Sequence, residues 1–176
     1  FGPVFVEGEI NYQIGKMANY EGEAGRDDVD VEGWDAYLHA KADIGPAYVG
    51  GMYAWVDGQD ADDDDVTKGT AAGRSFNPCL ILWNEYTNKW TGPLGYANNT
   101  YDRSGDAMGG ESMTNAHLFQ IYGGYKPLPK LDIRAAVSYA LADEKSNNQF
   151  GANAVEYKDR DLGWEVDLTA AYKIYD

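Results

Sequence analysis

The sequence of 176 residues predicts an all-β fold, an antiparallel up-and-down transmembrane β-barrel, and more specifically a portion of a larger barrel. Apolar and polar residues alternate with a period of two in segments of ten or more residues, about twice the length of an average soluble strand. The connections between these segments alternate between short and long, which is typical of outer-membrane barrels with short periplasmic turns and long extracellular loops.

Six segments carry the alternation, and we take residues 1–176 as a single β-barrel portion. Four of them separate apolar from polar residues cleanly: residues 4–14, 34–44, 131–141 and 162–174. In the last of these, Leu162, Trp164 and Val166 are predicted to share one face, opposite Gly163 and Glu165. The other two, residues 47–56 and about 115–126, are rich in glycine and aromatic residues, and their facing stays open.

The connections set the limits of this prediction. Residues 18–32, 57–114 and 143–161 form long connections, whereas Gly45–Pro46 and residues 127–130 form short turns, and residues 57–114 are predicted to be a long extracellular loop region. Six strands are too few to close a membrane barrel, which needs about eight. The chain is therefore part of a larger barrel, or residues 57–114 hide a further hairpin. The apolar run at 79–83 fits such a strand, a short helix or a plug segment at the barrel mouth.

Composition narrows the function. With 14 basic and 29 acidic residues, the net charge of -15 argues against a nucleic-acid partner or an anionic membrane surface held by charge. The sequence has no apolar run of the length that a transmembrane helix needs, roughly 18 residues. Alternation also fits a soluble β-sandwich, but strand length and loop asymmetry favour the barrel and hence the bacterial outer membrane.

In a barrel, charged side chains avoid lipid and face the lumen. The predicted pore-lining residues are Glu7, Glu9, Asp35, Lys41, Asp43, Asp132, Arg134, Glu165, Asp167 and Lys173. Seven carboxylates against three cations predict a weak preference for cations. The alternative is that these are solvated strand residues whose cross-strand pairs set the register.

Aromatic residues fall near the predicted strand ends, where membrane barrels carry aromatic girdles: Tyr12, Trp34, Tyr53, Trp55, Tyr139, Trp164, Tyr172 and Tyr175. The alternative is that they form the core of a soluble β protein. We expect outer-membrane lipid and lipopolysaccharide as partners, together with further copies of the chain in a homo-oligomer.

No cofactor is predicted, and the one metal considered is Ca²⁺. Asp60, Asp62 and Asp64 belong to an acidic cluster that offers carboxylate oxygens to Ca²⁺. The spacing does not match an EF-hand, so a solvated loop is the favoured interpretation. His39 and His117 lie on separate strands without the spacing of a zinc site, and the nearest catalytic hypothesis pairs a histidine with Asp35 or Asp43.

The segment from Leu162 to Tyr175 resembles the penultimate strand of Gram-negative outer-membrane porins, especially the alginate-export-like barrels. Asp57-Gly58, and Phe76-Asn77-Pro78 before Leu80-Ile81-Leu82, are similar to an extracellular loop of that group. The resemblance implies a passive outer-membrane channel with a polar lumen and a further strand after Asp176. It does not extend to a substrate, because the basic residues expected along a path for an anionic polysaccharide are scarce.

These observations predict a porin that passes ions and small polar solutes and performs no chemistry. The alternative is a soluble or surface β protein that binds carbohydrate through exposed tyrosine and tryptophan side chains. A third hypothesis is an outer-membrane hydrolase, whose activity would be lost when His39 or His117 is replaced.

Overall fold

A computed structural model of the protein describes residues 4–18, 29–58, 66–68, 78–82, 116–144, 147–148, 155–156 and 160–175. This part of the chain is all-β. Its strands are β1 (Val4–Ala18), β2 (Val29–Ile44), β3 (Ala47–Val56), β4 (Val66–Lys68), β5 (Ala116–Leu128), β6 (Leu131–Ala142), β7 (Asn147–Asn148), β8 (Val155–Glu156) and β9 (Asp161–Tyr172). Among the described residues, no helix is long and apolar enough to cross a membrane.

The six long strands form one antiparallel sheet in the order β1-β2-β3-β5-β6-β9. Successive long strands are neighbours, so the predicted up-and-down topology is confirmed. Across the described ranges the sheet is open, with β1 and β9 at its edges. Tight turns at Gly45–Pro46 and Pro129–Lys130 lie at the same end, where the backbone N–H of Lys126 donates to the carbonyl of Pro46. Gly45 has a φ of 60°, which glycine adopts without strain.

The strands differ from the predicted bounds mainly at the end of the sheet that carries the long connections. β1 and β2 pair from Val4 with Ala42 as far as Ala18 with Val29, so the connection expected at 18–32 is shorter than predicted. Within residues 57–114, β4 pairs in parallel with β2 beyond the end of β3. The connection from 143 to 161 contains the two-residue strands β7 and β8.

One facing prediction is wrong. Leu162 does not share a face with Trp164 but packs against the buried core on the opposite side of the sheet. The register shifts between Ala140 and Leu141, and Gly163 has a φ of 112°. A bulge of this kind reverses the alternation, and the left-handed backbone at its centre favours glycine.

The two faces of the sheet have opposite character. The side that we call the apolar face carries aliphatic and aromatic side chains, and its aliphatic residues are unusually exposed, with Ile14 at 71% and Val166 and Leu168 at 76%. Aromatic side chains lie on this face near the end of the sheet that carries the long connections. Tyr12 pairs with Trp34 and Tyr139 pairs with Trp164, at ring-centroid distances of 4.4 and 4.6 Å.

The other side, the polar face, holds both the charged residues and the core. Its core is small, because alanines supply much of it: Ala54, Val56, Cys79, Leu82, Ala116, Leu118 and Ala140. Buried with this core are four polar side chains, Gln120, Ser138, Glu165 and Asp167. The sheet therefore buries polar groups and exposes aliphatic ones, the reverse of a water-soluble β-sandwich.

Candidate functional site

The polar face collects the charged residues that the sequence assigns to a lumen. The register places on this face nine of the ten: Glu7, Glu9, Asp35, Lys41, Asp43, Asp132, Arg134, Glu165 and Asp167. Lys173 directly follows β9, and its backbone N–H donates to the carbonyl of Lys130. A single cross-strand row, Glu7, His39, Met52, Gln120, Ser138 and Glu165, spans all six long strands. The pore-lining role of these residues stays a prediction.

Residues 78–82, which we call the inner segment, lie on the polar face and form neither a helix nor a strand. The Glu165 carboxylate accepts hydrogen bonds from three consecutive backbone N–H groups. Leu80 and Ile81 donate to Oε1, each at 2.8 Å, and Leu82 donates to Oε2 at 2.6 Å. Hydrogen bonds to a charged acceptor contribute more than neutral ones. One buried carboxylate thus holds the inner segment on the sheet.

A second set of contacts fixes the start of the inner segment. Gln120 Nε2 donates to the carbonyl of Pro78 at 2.8 Å and to Ser138 Oγ at 2.9 Å. On its other side, Gln120 Oε1 accepts from Arg134 Nη2 at 2.7 Å. The network connects two strands, β5 and β6, with the inner segment, and its polar groups satisfy one another in a buried region, as burial requires.

Cys79 lies inside this network. Its Sγ donates to Ser138 Oγ at 3.3 Å, and Leu82 packs with it in the core. Burial raises the pKa of the Cys79 thiol to about 11, and the negative charges of Glu165 and Asp167 act in the same direction. The thiol is therefore protonated at neutral pH and acts as a small packing group.

Two tyrosines of the polar face pack into space left by glycines on the neighbouring strand. Tyr48 on β3 pairs with Gly124 on β5, and Tyr122 on β5 pairs with Gly50 on β3. A Cβ at Gly124 would lie 2.0 Å from Tyr48 Cζ, and one at Gly50 would lie 2.4 Å from Tyr122 Cζ. Both glycines are therefore required for close approach of the rings.

These tyrosines border an open cavity of about 370 Å³ between the sheet and Pro78. Four aromatic rings and three cationic side chains line it: Tyr37, His39, Tyr48, Tyr122, Lys41, Lys126 and Arg134. The guanidinium carbon of Arg134 lies 4.4 Å from the centroid of the Tyr122 ring, and Lys41 Nζ lies 4.9 Å from that of Tyr48. Asp132 is the lining carboxylate, and it accepts from the Tyr48 hydroxyl at 2.8 Å.

The carboxylates of β1 bond within the edge of the sheet. Glu7 Oε1 accepts from the Tyr37 hydroxyl at 2.8 Å and lies 3.1 Å from His39 Nδ1. The other ring nitrogen of His39 lies 2.6 Å from the Tyr122 hydroxyl. The carboxylates of Asp35 and Asp43, offered as partners of a histidine in the hydrolase hypothesis, bond Asn11 and Lys41 in the structure.

His117 lies on the apolar face, beside the rings of Tyr53 and Trp55. Its Nδ1 lies 2.8 Å from the Tyr53 hydroxyl, and its Nε2 lies 2.7 Å from Asp143 Oδ1. Asp143 also accepts from the backbone N–H of Gly58. The contacts therefore join the ends of three strands to the start of the long connection.

Asp60, Asp62 and Asp64, the candidate Ca²⁺ ligands, lie outside the described residues. Within the part of the chain that the structure describes, no three His, Cys, Asp or Glu side chains are grouped as metal ligands.

Sequence reasoning missed the tyrosine pair and Gln120, because the facing of the third and fourth segments was open. Ser138 lies on the fifth segment, whose facing was predicted, but nothing in the local pattern singled it out. One signal was present in the sequence. The motif Tyr-x-Gly occurs three times, at 20–22, 48–50 and 122–124, and antiparallel pairing of the last two sets each tyrosine ring against the glycine of the other motif. No model of a known protein family and no curated protein matches the chain.

Proposed function

We propose that the chain forms part of a transmembrane β-barrel in the bacterial outer membrane, a channel for passive diffusion of ions and small polar solutes. The observation that carries the proposal is the inverted sheet. Aliphatic residues such as Val166 and Leu168 are three-quarters exposed, whereas Glu165 and Asp167, which alternate with them along β9, are buried. Large exposed apolar surfaces bind other apolar material, and lipid would cover this one.

Strand length and ring placement support the same proposal. The long strands have 10 to 16 residues, enough for a tilted transmembrane strand of roughly 9–11 residues. Rings cross the apolar face at one end, and Tyr125 and Tyr172 lie on it near the tight turns. Two aromatic rows separated by aliphatic residues are typical of a bilayer-spanning band.

The polar face would then line the water-filled path. The inner segment, held by Glu165, would narrow this path at the end of the long connections. Carboxylates outnumber cations among the residues that share the face, which favours a weak preference for cations.

The test is single-channel recording of the detergent-extracted protein in a planar bilayer, with a salt gradient across it. We expect discrete conductance steps and a reversal potential on the cation side, and heat-denatured protein in the same detergent serves as the control. Steps with anion preference would overturn the selectivity. Silence from protein that floats with vesicles and resists urea extraction would overturn the channel itself.

A further inference from the structure

We propose that the cavity beside Tyr122 is a binding subsite for small aromatic carboxylates. This inference deepens the proposed function, on which it rests for its place in a solute path. The subsite combines two features: a continuous strip of aromatic rings, and a cluster of cationic side chains.

The strip consists of Tyr37, His39, Tyr122 and Tyr48, in that order. Successive ring centroids lie 6.2, 5.8 and 6.2 Å apart. Each phenol hydroxyl has a protein partner: Glu7 for Tyr37, His39 for Tyr122 and Asp132 for Tyr48. Since these hydroxyls are engaged, the strip presents ring surface more than hydrogen-bonding groups. Such a surface suits a flat carbon ring better than a polyhydroxylated sugar.

The cations lie against the same rings. Arg134 and Lys41 lie over Tyr122 and Tyr48, and Lys126 Nζ lies 5.6 Å from the Tyr48 centroid on that ring as well. Among the described residues, three positive side chains line the cavity against one carboxylate, Asp132, whose Oδ2 lies 3.7 Å from Lys126 Nζ. Asp43 also faces the cluster, through its ion pair with Lys41 at 2.8 Å. Over the described part of the chain, the side chains that line the cavity carry more positive than negative charge, in a chain of net charge -15. The Glu7 carboxylate contacts the lining side chains Tyr37 and His39 at the edge of the sheet.

These contacts fix the chemistry of the ligand. A guanidinium presents a planar fork of N–H groups that matches a carboxylate, and Arg134 has donors beyond the one bonded to Gln120. Ligand sites span roughly 300–1,000 Å³, so a cavity of about 370 Å³ accommodates a single-ring acid with a few waters. An inorganic anion has no ring to stack on the aromatic side chains, and a neutral aromatic compound has no charge to pair with the cationic side chains.

The experiment compares three probes on the same protein: benzoate, which has the ring and the charge; acetate, which has the charge alone; and benzyl alcohol, which has the ring alone. Saturable reduction of single-channel current is measured in the bilayer. Binding is measured independently by saturation-transfer NMR on detergent-solubilised protein, where no pore is needed. We expect benzoate to act at concentrations at least tenfold lower than either of the other probes.

Variants locate the effect. Arg134→Gln and Lys41→Gln should each weaken benzoate binding at least tenfold, whereas Lys16→Gln, which removes the same charge from the apolar-face side of β1, should leave it unchanged. Lys41→Gln keeps the result interpretable if Arg134→Gln disturbs the Gln120 network. The proposal would be overturned if acetate or benzyl alcohol acted at the same concentration as benzoate. It would also be overturned if all three variants changed benzoate binding equally.

The two proposals fail separately. A conducting protein that does not bind benzoate retains the channel and loses the subsite. A folded protein that binds benzoate in detergent but never conducts retains the subsite and loses the channel.

Discussion

The carboxylate of Glu165 on β9 accepts the backbone N–H of Leu82 at 2.6 Å, although the two residues are 83 positions apart in the sequence. The same carboxylate also accepts the two preceding N–H groups, so three donors of the inner segment depend on one side chain. Long-range anchoring of this kind makes the position of the inner segment testable with a single substitution.

We expect Glu165→Gln to release the inner segment. The amide keeps one acceptor oxygen and loses the charge, and a loss of about 2 kcal/mol corresponds to roughly a thirtyfold shift in an equilibrium. The measurement is the rate of maleimide labelling of Cys79 in folded protein, which should rise by about that factor. Glu9→Gln is the matched control, because Glu9 accepts from Asn11 and lies away from the inner segment. Equal rates in the two variants would contradict the anchoring role.

The Cys79 thiol gives a prediction for pH dependence. Its pKa is raised to about 11 by burial, and thiolate is the reactive form. Labelling of the folded wild-type protein should therefore be slow at pH 8 and increase up to about pH 11, whereas the urea-unfolded chain should show the ordinary thiol profile, with a pKa near 8.5. A folded-state profile that coincides with the unfolded one would contradict burial of the thiol.

The apolar face can be probed with a charge at its centre. Leu168→Arg should destabilise the protein in lipid by about 2–4 kcal/mol, the cost of an arginine at mid-bilayer. Thr169→Arg is the control, since it places the same side chain on the neighbouring residue of the polar face. The measurement is the midpoint of guanidinium unfolding from lipid vesicles. A face covered by water would tolerate both variants alike.

Glycine packing predicts an asymmetry between two adjacent residues. Gly50→Ala should destabilise the sheet by about 1–3 kcal/mol, because its Cβ would lie 2.8 Å from the carbonyl oxygen of Ala40 and 2.4 Å from the Tyr122 ring. Gly51→Ala should be tolerated, because the nearest backbone atom, the oxygen of Gln120, lies at 3.5 Å. The measurement is the unfolding midpoint of each variant in the same detergent, and equal midpoints would contradict the predicted asymmetry.

Selectivity should follow the carboxylates of the polar face. The double variant Glu9→Gln with Asp35→Asn removes two charges joined through Asn11, and we expect its reversal potential to move towards the anion side. Asp30→Asn with Glu32→Gln removes the same charges on the opposite side of β2 and should have little effect. An equal shift in both double variants would attribute selectivity to overall charge instead.

Period-2 alternation was sufficient to predict the sheet, because four of the long segments separate apolar from polar residues clearly enough to assign each face. The exception at Leu162 arises from the bulge at Gly163, which reverses the alternation locally. Alternation also placed Glu165 and Arg134 on a common face. It did not predict that Glu165 would hold backbone groups of residues 80–82, because contacts across more than eighty residues leave no local pattern.

The aromatic cavity was missed for a different physical reason. In β3 and β5 the glycines and tyrosines occur on both faces, so hydrophobicity alone does not assign them. The two faces differ in how side-chain volumes fit together. On the polar face each tyrosine ring fills the space left by the glycine opposite it, and this fit becomes visible only when the two strands are paired.

The way in which the inner segment is attached also bears on how the protein can change. Because its anchors to Glu165 are main-chain N–H groups, any residue except proline at positions 80 and 81 can supply them. Leu80 and Ile81 are 49% and 44% exposed. Mutation can therefore alter the surface that these two positions expose while the backbone keeps its place. In the proposed channel, selectivity would then be able to change at positions 80 and 81 without a change in the backbone that carries them.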